Sequence, residues 1–133
     1  MNVRHDEAGL VGKMIIIWIF FLAVIAVAAI DAASIAFTTY KLSDVGAAAA
    51  SEGARVYGRT HDVRDACDRV AQVVTAQEPT ARVTRGGCSV ERPTGLVTVK
   101  VRKLSSTLIA KRIPWTEDFA TVTVTETAGP PSL

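Results

Sequence analysis

The residues with the clearest potential for chemistry are two cysteines, Cys67 and Cys88. They belong to no CxxC motif and to no spacing typical of metal ligands, so neither a redox motif nor a zinc site is indicated. Two thiols in one exported domain usually pair, and we therefore expect a single disulfide between them. The alternative is a pair of free, buried thiols in a domain that stays in a reducing compartment.

Other residues capable of catalysis are sparse. His5 and His61 are the only histidines, and they fall on opposite sides of the membrane segment predicted below, so they cannot meet in one chain. Asp62 and Asp65 beside His61 could suggest a metal site, but capping of a helix explains both carboxylates. No P-loop and no GxGxxG motif occurs. We predict that the protein is not an enzyme and needs no metal or other cofactor.

The charge pattern argues against a nucleic acid partner. The formal net charge is only +2, and basic residues alternate with acidic ones along the chain of 133 residues. A groove that follows phosphates requires clustered Lys and Arg instead. Once a membrane segment is subtracted, roughly one hundred residues remain, which is enough for one small domain.

A continuous apolar block covers residues 14–37 and is interrupted only by Asp31 and Ser34. About 20 apolar residues suffice to cross a bilayer, and the block lacks the polar face that a soluble helix keeps. We predict a transmembrane helix over 14–37 and a cytoplasmic segment over 1–13. The alternative is a cleaved signal peptide that releases a secreted domain, because the small residues 26–28 resemble a cleavage site.

Three alanines in this block, Ala28, Ala32 and Ala36, recur every four residues. This spacing allows two membrane helices to approach closely and predicts a helix-packing face. Asp31 falls near the far interface, where its carboxylate either faces water or contacts a neighbouring subunit. Two basic residues before the block favour a cytoplasmic N-terminus and an extracytoplasmic C-terminal part.

The helical pattern continues beyond the apolar block. Residues 38–58 are rich in alanine, contain no proline and end at Gly58, a residue type that often caps helices. An unbroken helix from Met14 to Tyr57 would be about 65 Å long and would stand well above the bilayer. Such a helix requires partners along its exposed face.

Residues 59–128 have the pattern of a small α+β domain outside the membrane. A second, amphipathic helix starts near Asp62, with Thr60 as an alternative cap, and ends at Glu78-Pro79. Three strands follow, over 82–92, 96–103 and 119–127, each with alternating apolar residues.

Two turn signals shape the predicted sheet. Residues 92–95 fit a β-turn that joins the first two strands as an antiparallel hairpin. Gly86-Gly87 would insert one extra residue as a bulge and so place Cys88 on the core face. The direction of the third strand is left open. The complete fold is predicted to be a helix packed on a small, mainly antiparallel three-stranded sheet.

The connection between the second and third strands carries the apolar residues Leu108, Ile109 and Trp115. It either covers the open end of the sheet or exposes an apolar patch that docks a partner or dips into the membrane surface. The tail, residues 129–133, is predicted to be disordered.

The middle of the chain resembles the TadE-like pseudopilins of the tight-adherence (Tad, or Flp) pilus system. The residues that carry the resemblance are Ile30-Asp31, Tyr40, Leu42, Asp44 and the alanine run 47–50. It implies a pilin-like fold and a minor pilin that forms homo- or hetero-oligomers with pilin-like or membrane-platform subunits. It also implies a place in the bacterial cytoplasmic membrane or a surface filament. The alternative is a non-catalytic accessory subunit of another membrane complex.

Overall fold

The computed structural model describes residues 3–105, 112–115 and 120–130, with side chains from residue 9 onward. The elements are α1 (Val3–Thr60), α2 (Val63–Gln77), β1 (Arg82–Glu91), β2 (Leu96–Leu104) and β3 (Thr121–Ala128). The strands form one antiparallel sheet in the order β1-β2-β3. The predicted combination of a long N-terminal helix, a second helix and a three-stranded sheet is therefore confirmed.

Helix α1 runs without interruption for 58 residues, about 87 Å at the usual rise per residue. The predicted continuity between the apolar block and the alanine-rich part is confirmed, but the predicted end at Gly58 is wrong. The helix ends at Thr60, and His61 adopts a left-handed conformation with φ 53°. The His61 N–H donates a hydrogen bond to the Tyr57 carbonyl oxygen at 2.8 Å. The residue that terminates the helix is therefore a histidine in place of the expected glycine.

Helix α2 starts as the sequence predicts. The Asp62 carboxylate accepts a hydrogen bond from the Arg64 N–H at 2.8 Å, which satisfies a free donor of the first turn. The Thr60 hydroxyl accepts the Asp62 N–H at 3.2 Å, so both predicted capping residues take part. The apolar face of α2 buries four residues against the core: Ala66, Val70, Val73 and Val74.

The hairpin of β1 and β2 is confirmed, but its bulge is larger than predicted. Val83 pairs with Val101 and Cys88 pairs with Val99, so four residues of β1 stand opposite one residue of β2. The bulge thus contains three extra residues, where one was predicted. Gly86 within it has φ 68°, which a glycine adopts without strain. An odd number of extra residues still reverses the side-chain alternation, and Cys88 packs against the core as expected.

Strand β3 is antiparallel to β2, which the sequence left open. The pairing of Leu104 with Thr121 brings the chain back to the end of the sheet where β2 finished. The strand begins at Thr121 instead of Phe119, which lies outside the described residues, and ends at Ala128. Pro130 lies beside Gly95 in the β1–β2 turn, so the first residues of the predicted disordered tail pack against the domain.

One face of α1, one face of α2 and the inner face of the sheet enclose the core. Apart from Leu42, its members are alanines and valines: Val45, Ala49, Ala50, Ala54, Val70, Val73, Val74, Ala81, Val97, Val99, Val101, Val122 and Val124. The three α1 alanines of this core are fully buried, and their short side chains allow close packing. We call residues 62–130 the head.

The sheet lies alongside the C-terminal half of α1. Gly95 at one end of β2 lies near Tyr57, whereas Leu104 at the other end shares a groove with Phe37. The nine residues of β2 and the helix from Phe37 to Tyr57 both measure about 30 Å, which agrees with this alignment. The end of β2 at Leu104 and the start of β3 at Thr121 therefore lie at the end of the head nearest to the apolar half of α1.

We expect Gly53→Ala to lower the free energy of unfolding of the head by about 1–3 kcal/mol. A Cβ at position 53 would lie 2.7 Å from Val70 Cγ2 and 3.2 Å from Val97 Cγ1, so α2 and the sheet would have to move. Hydrogen exchange of the β2 amides in the full-length, membrane-reconstituted protein measures the effect.

The matched control is Gly58→Ala. This position is in the same helix but has no atom within 4 Å of the new Cβ. Alanine there should leave stability unchanged or raise it by up to about 1 kcal/mol through its higher helix propensity. An equal gain from both substitutions would show that α1 does not pack closely on Val70 and Val97.

Candidate assembly surface

The N-terminal half of α1 presents its apolar side chains outward. From Leu10 to Ile25 the large apolar residues are at least about half exposed, and the head does not cover them. Among the described residues, α1 is the one helix that is long and apolar enough to cross a membrane, judged by length and composition. In water such a surface would favour aggregation, so it requires lipid or a partner helix.

The predicted helix-packing residues Ala28, Ala32 and Ala36 are all exposed. The four-residue spacing leads on to Tyr40, which is 77% exposed. These residues form one ridge that winds slowly around α1, because positions four apart are offset by about 40° on a helix. We call this ridge the alanine–tyrosine face. It is available to a second helix or subunit.

The motif residues of the family resemblance separate onto two faces of α1. Asp31 is only 8% exposed and Leu42 is buried, so both are covered by their own chain. Tyr40 and Asp44 are exposed. Asp31 also has a polar or electrostatic interaction, and its carboxylate is not turned toward open water. Among the described residues, α1 packs against the core from Ile35 onward, within the predicted membrane segment 14–37.

Of the predicted partner patch, the structure places only Trp115. Its side chain is 81% exposed, in the connection between β2 and β3. Leu108 and Ile109 lie outside the described residues, so the patch as a whole stays a prediction. An exposed tryptophan is typical of a surface that meets a partner or a membrane interface.

Cys67 and Cys88 lie at disulfide distance, with Cα atoms 5.8 Å apart. This separation is within the range that a disulfide requires. The bond joins α2 to β1 immediately after the bulge, and Cys88 packs against the core. Both residues are half-buried, and the bulge is what places Cys88 against the core.

One polar cluster, centred on Glu78, was not predicted from the sequence. This carboxylate is 8% exposed and connects three parts of the fold. Its Oε1 accepts hydrogen bonds from Lys103 Nζ at 2.6 Å and from Thr80 Oγ1 at 3.2 Å, and its Oε2 lies 3.1 Å from Lys41 Nζ. The hydrogen bond from Lys103, followed by the contact with the Lys41 ammonium, lowers the pKa of Glu78 to about 2, although burial acts to raise it.

The alternation of side chains along β2 contained a sequence signal for this cluster. Lys103 continues the inward alternation of Val97, Val99 and Val101, so its charge had to find a buried partner. Glu126 follows the same logic in β3, where it accepts a hydrogen bond from the Ser43 hydroxyl of α1. Glu78 connects Lys103 of β2 to Lys41 of α1, and Glu126 of β3 contacts Ser43 of α1 directly. Both polar contacts therefore hold the sheet against α1.

The arrangement offers little that resembles a catalytic or metal site. Among the described residues, no three His, Cys, Asp or Glu side chains come together as a metal ion would need. The Asp62 carboxylate already caps α2. The absence of enzyme activity stays a prediction.

The described residues define a class of architecture: a long helix, bare and apolar in its first half, that carries a small α+β head on its second half. Comparison of the chain with protein-family models, with curated proteins and with solved structures finds no match. The resemblance to the TadE-like pseudopilins therefore rests on the residues quoted for it.

Proposed function

We propose that this chain is a membrane-anchored minor pilin or pseudopilin of the Tad/Flp type, which assembles with other subunits through α1. One observation carries the proposal: the same uninterrupted helix is uncovered and apolar before Asp31 and packs against the head from Ile35 onward. A helix of this design anchors a subunit in lipid and offers a packing face to its neighbours.

The proposed membrane segment follows from length. About 20 residues cross the hydrocarbon core, so a span that starts at Met14 leaves it near Ala33. Asp31 and Ser34 then lie at the interface, where polar groups cost little. The N-terminus is cytoplasmic and the head is extracytoplasmic. The Cys67–Cys88 pair supports this orientation, because disulfides persist in oxidising compartments.

The alanine–tyrosine face is the proposed contact with neighbouring subunits. The alanines let a second helix approach closely within the bilayer. Tyr40 and Asp44 continue the contact above it, on the side of α1 that the head leaves exposed. Assembly in this proposal is the association of subunits through this face, and none of its steps requires catalysis.

We expect Ala32→Leu to weaken assembly at least several-fold without affecting membrane insertion. Leucine is as compatible with lipid as alanine, but its size prevents close approach of two helices. The measurement is co-purification of partner subunits, or of a second tagged copy, after mild detergent extraction. The subunits recovered also distinguish a pilus assembly from another membrane complex.

The matched control is Ala23→Leu. Ala23 is exposed within the same apolar segment, and nine residues at about 100° each place it opposite Ala32 on the helix. This variant should assemble like the unaltered protein. Equal recovery of partners with both variants would contradict the proposed packing face.

We expect the anchor to be retained in the mature protein. Intact mass of the membrane-extracted protein measures this, with the chain beginning at or near its first residues. A product that starts near Ala29 would overturn the anchor and favour a cleaved, secreted domain. Loss of only the first nine to twelve residues would instead indicate processing by a prepilin peptidase.

A further inference from the structure

A groove with a basic lining lies on the head at the end nearest to the apolar half of α1. It has a volume of about 300 Å³ and is lined by Thr80, Arg82, Thr84, Arg85, Arg102, Lys103 and Leu104, which include no carboxylate. We call it the basic groove. Of these cations, Lys103 is paired with Glu78, whereas Arg85 and Arg102 form no ion pair in the described part of the chain.

Two of these arginines are placed at a cost to stability. Arg82 and Arg102 stand directly opposite each other across β1 and β2. Like charges at opposed positions of a sheet are destabilising, unless an anion binds between them. The backbone carbonyls of Pro79 and Ala81 accept hydrogen bonds from Arg82 but bring no negative charge. This arrangement suits a bound anion such as a phosphate.

An apolar groove adjoins the basic groove. Its volume is about 550 Å³, and Phe37, Thr38 and Lys41 of α1 line it together with Lys103 and Leu104. The side chains of Phe37 and Leu104 are both more than half exposed. Exposed apolar residues thus lie directly beside the cations, a combination that matches the interface of a bilayer.

The position along α1 fits the same interface. If the hydrocarbon core ends near Ala33, Phe37 stands about 6 Å above it, within the headgroup layer. Lys41 and the basic groove lie immediately beyond Phe37, further from the hydrocarbon core. Exposed Tyr40 lies about 5 Å beyond Phe37 along α1, and aromatic residues are enriched at this depth.

We propose that this end of the head rests on the bilayer and that the basic groove binds the phosphate of anionic phospholipid headgroups. Phe37 and Leu104 lie among the upper acyl chains and headgroups. The inference rests on the membrane anchoring proposed above. A lipid fits better than an acidic protein, because the groove is continuous with a helix that enters the bilayer and because apolar side chains line it on one side. Lipid binding would hold the head upright and orient the alanine–tyrosine face.

The experiment uses the full-length protein in nanodiscs of phosphatidylcholine, with or without phosphatidylglycerol as a minor component. Hydrogen exchange of peptides over 80–86 and 100–105 reports on the groove, and mass spectrometry of lipids retained after detergent extraction reports on binding. We expect slower exchange and retained phosphatidylglycerol. Arg85→Gln with Arg102→Gln should reduce that retention roughly tenfold, because each basic residue near an anionic surface contributes to attraction.

The matched control is Arg59→Gln with Arg92→Gln, which removes the same charge at the opposite end of the head. It should retain the lipid as the unaltered protein does. Equal lipid retention in all three proteins would overturn the proposal. So would equal protection by inorganic phosphate in phosphatidylcholine discs, which would indicate a general anion site. Protection by polyglutamate but not by phosphatidylglycerol would point to an acidic protein.

The same preparation separates this inference from the anchor itself. Failure of the chain to enter nanodiscs would contradict the proposed membrane function as well. Stable incorporation with no preference for phosphatidylglycerol would overturn only the lipid site.

Discussion

Replacing Cys67 with serine is expected to lower the free energy of unfolding of the head by about 2–5 kcal/mol. The two cysteines are separated by 21 positions, and closing a loop of that length restricts the unfolded chain by about 3 kcal/mol. The head buries a small core of alanine and valine, so this is a large part of its stability. We also expect a reduced level of the protein in the cell envelope.

The cysteine series contains its own control. Cys67→Ser, Cys88→Ser and the double variant should be destabilised about equally, because the bond is already lost with the first substitution. Hydrogen exchange of the β1 and β2 amides measures stability, and alkylation before reduction measures the thiols. If both thiols of protein taken directly from the envelope are alkylated without reduction, the bridge does not exist. The extracytoplasmic location would then rest on the membrane helix alone.

Replacing Glu78 with glutamine is expected to lower the free energy of unfolding by about 1–3 kcal/mol near neutral pH. The fall of its pKa from 4.5 to about 2 corresponds to about 3 kcal/mol as an upper value. Water screens part of this interaction, because the Lys41 side chain is 53% exposed. Glutamine keeps the size of the side chain but removes the charge that holds Lys41 and Lys103.

The pH dependence identifies the charge as the cause. A carboxyl whose pKa is lowered by folding stabilises the head fully above about pH 4.5 and loses this contribution as the pH falls toward about 2. The difference between the unaltered protein and Glu78→Gln should therefore shrink over that range. Hydrogen exchange is unsuited to a wide pH range, so susceptibility to pepsin, which is active in acid, provides the measurement.

Glu52→Gln serves as the matched control. Glu52 pairs with Arg55 and Arg69 at 3.2 and 3.6 Å, but its side chain is more exposed. Such a surface pair contributes about 0–1 kcal/mol, so this variant should change little. A loss equal to that of Glu78→Gln, or a difference that does not shrink in acid, would contradict the role assigned to the buried cluster.

The elements that sequence reasoning located correctly are those with a strong local signal. The caps of α2 follow from Asp62 and Thr60, whose side chains accept backbone N–H groups within two residues. The alternation of Val97, Val99 and Val101 predicted the inner face of the sheet, since successive side chains of a strand point to opposite sides. Where several conformations are locally allowed, the sequence was less informative. It predicted one extra residue in the bulge in place of three, and a glycine in place of His61 at the end of α1.

The features of the candidate surface also differ in whether a local sequence signal predicts them. The four-residue spacing of Ala28, Ala32 and Ala36 is a property of one helix and could be read directly. The separation of Asp31 and Leu42 from Tyr40 and Asp44 depends on where the head docks, and no local pattern specifies that. The basic groove likewise depends on the pairing of Arg82 with Arg102, because residues 20 positions apart meet only when β1 and β2 pair in this register.

Periodicity and capping act within a few residues, so they were enough to predict the long apolar helix, the second helix, the hairpin and the positions of the cysteines on apolar faces. The direction of β3, the Glu78 cluster and the side of α1 that stays exposed could not be predicted in this way. Each of these depends on contacts between distant segments. Their free energy comes from burying surfaces that fit together, and the fit exists only once the head has packed on α1.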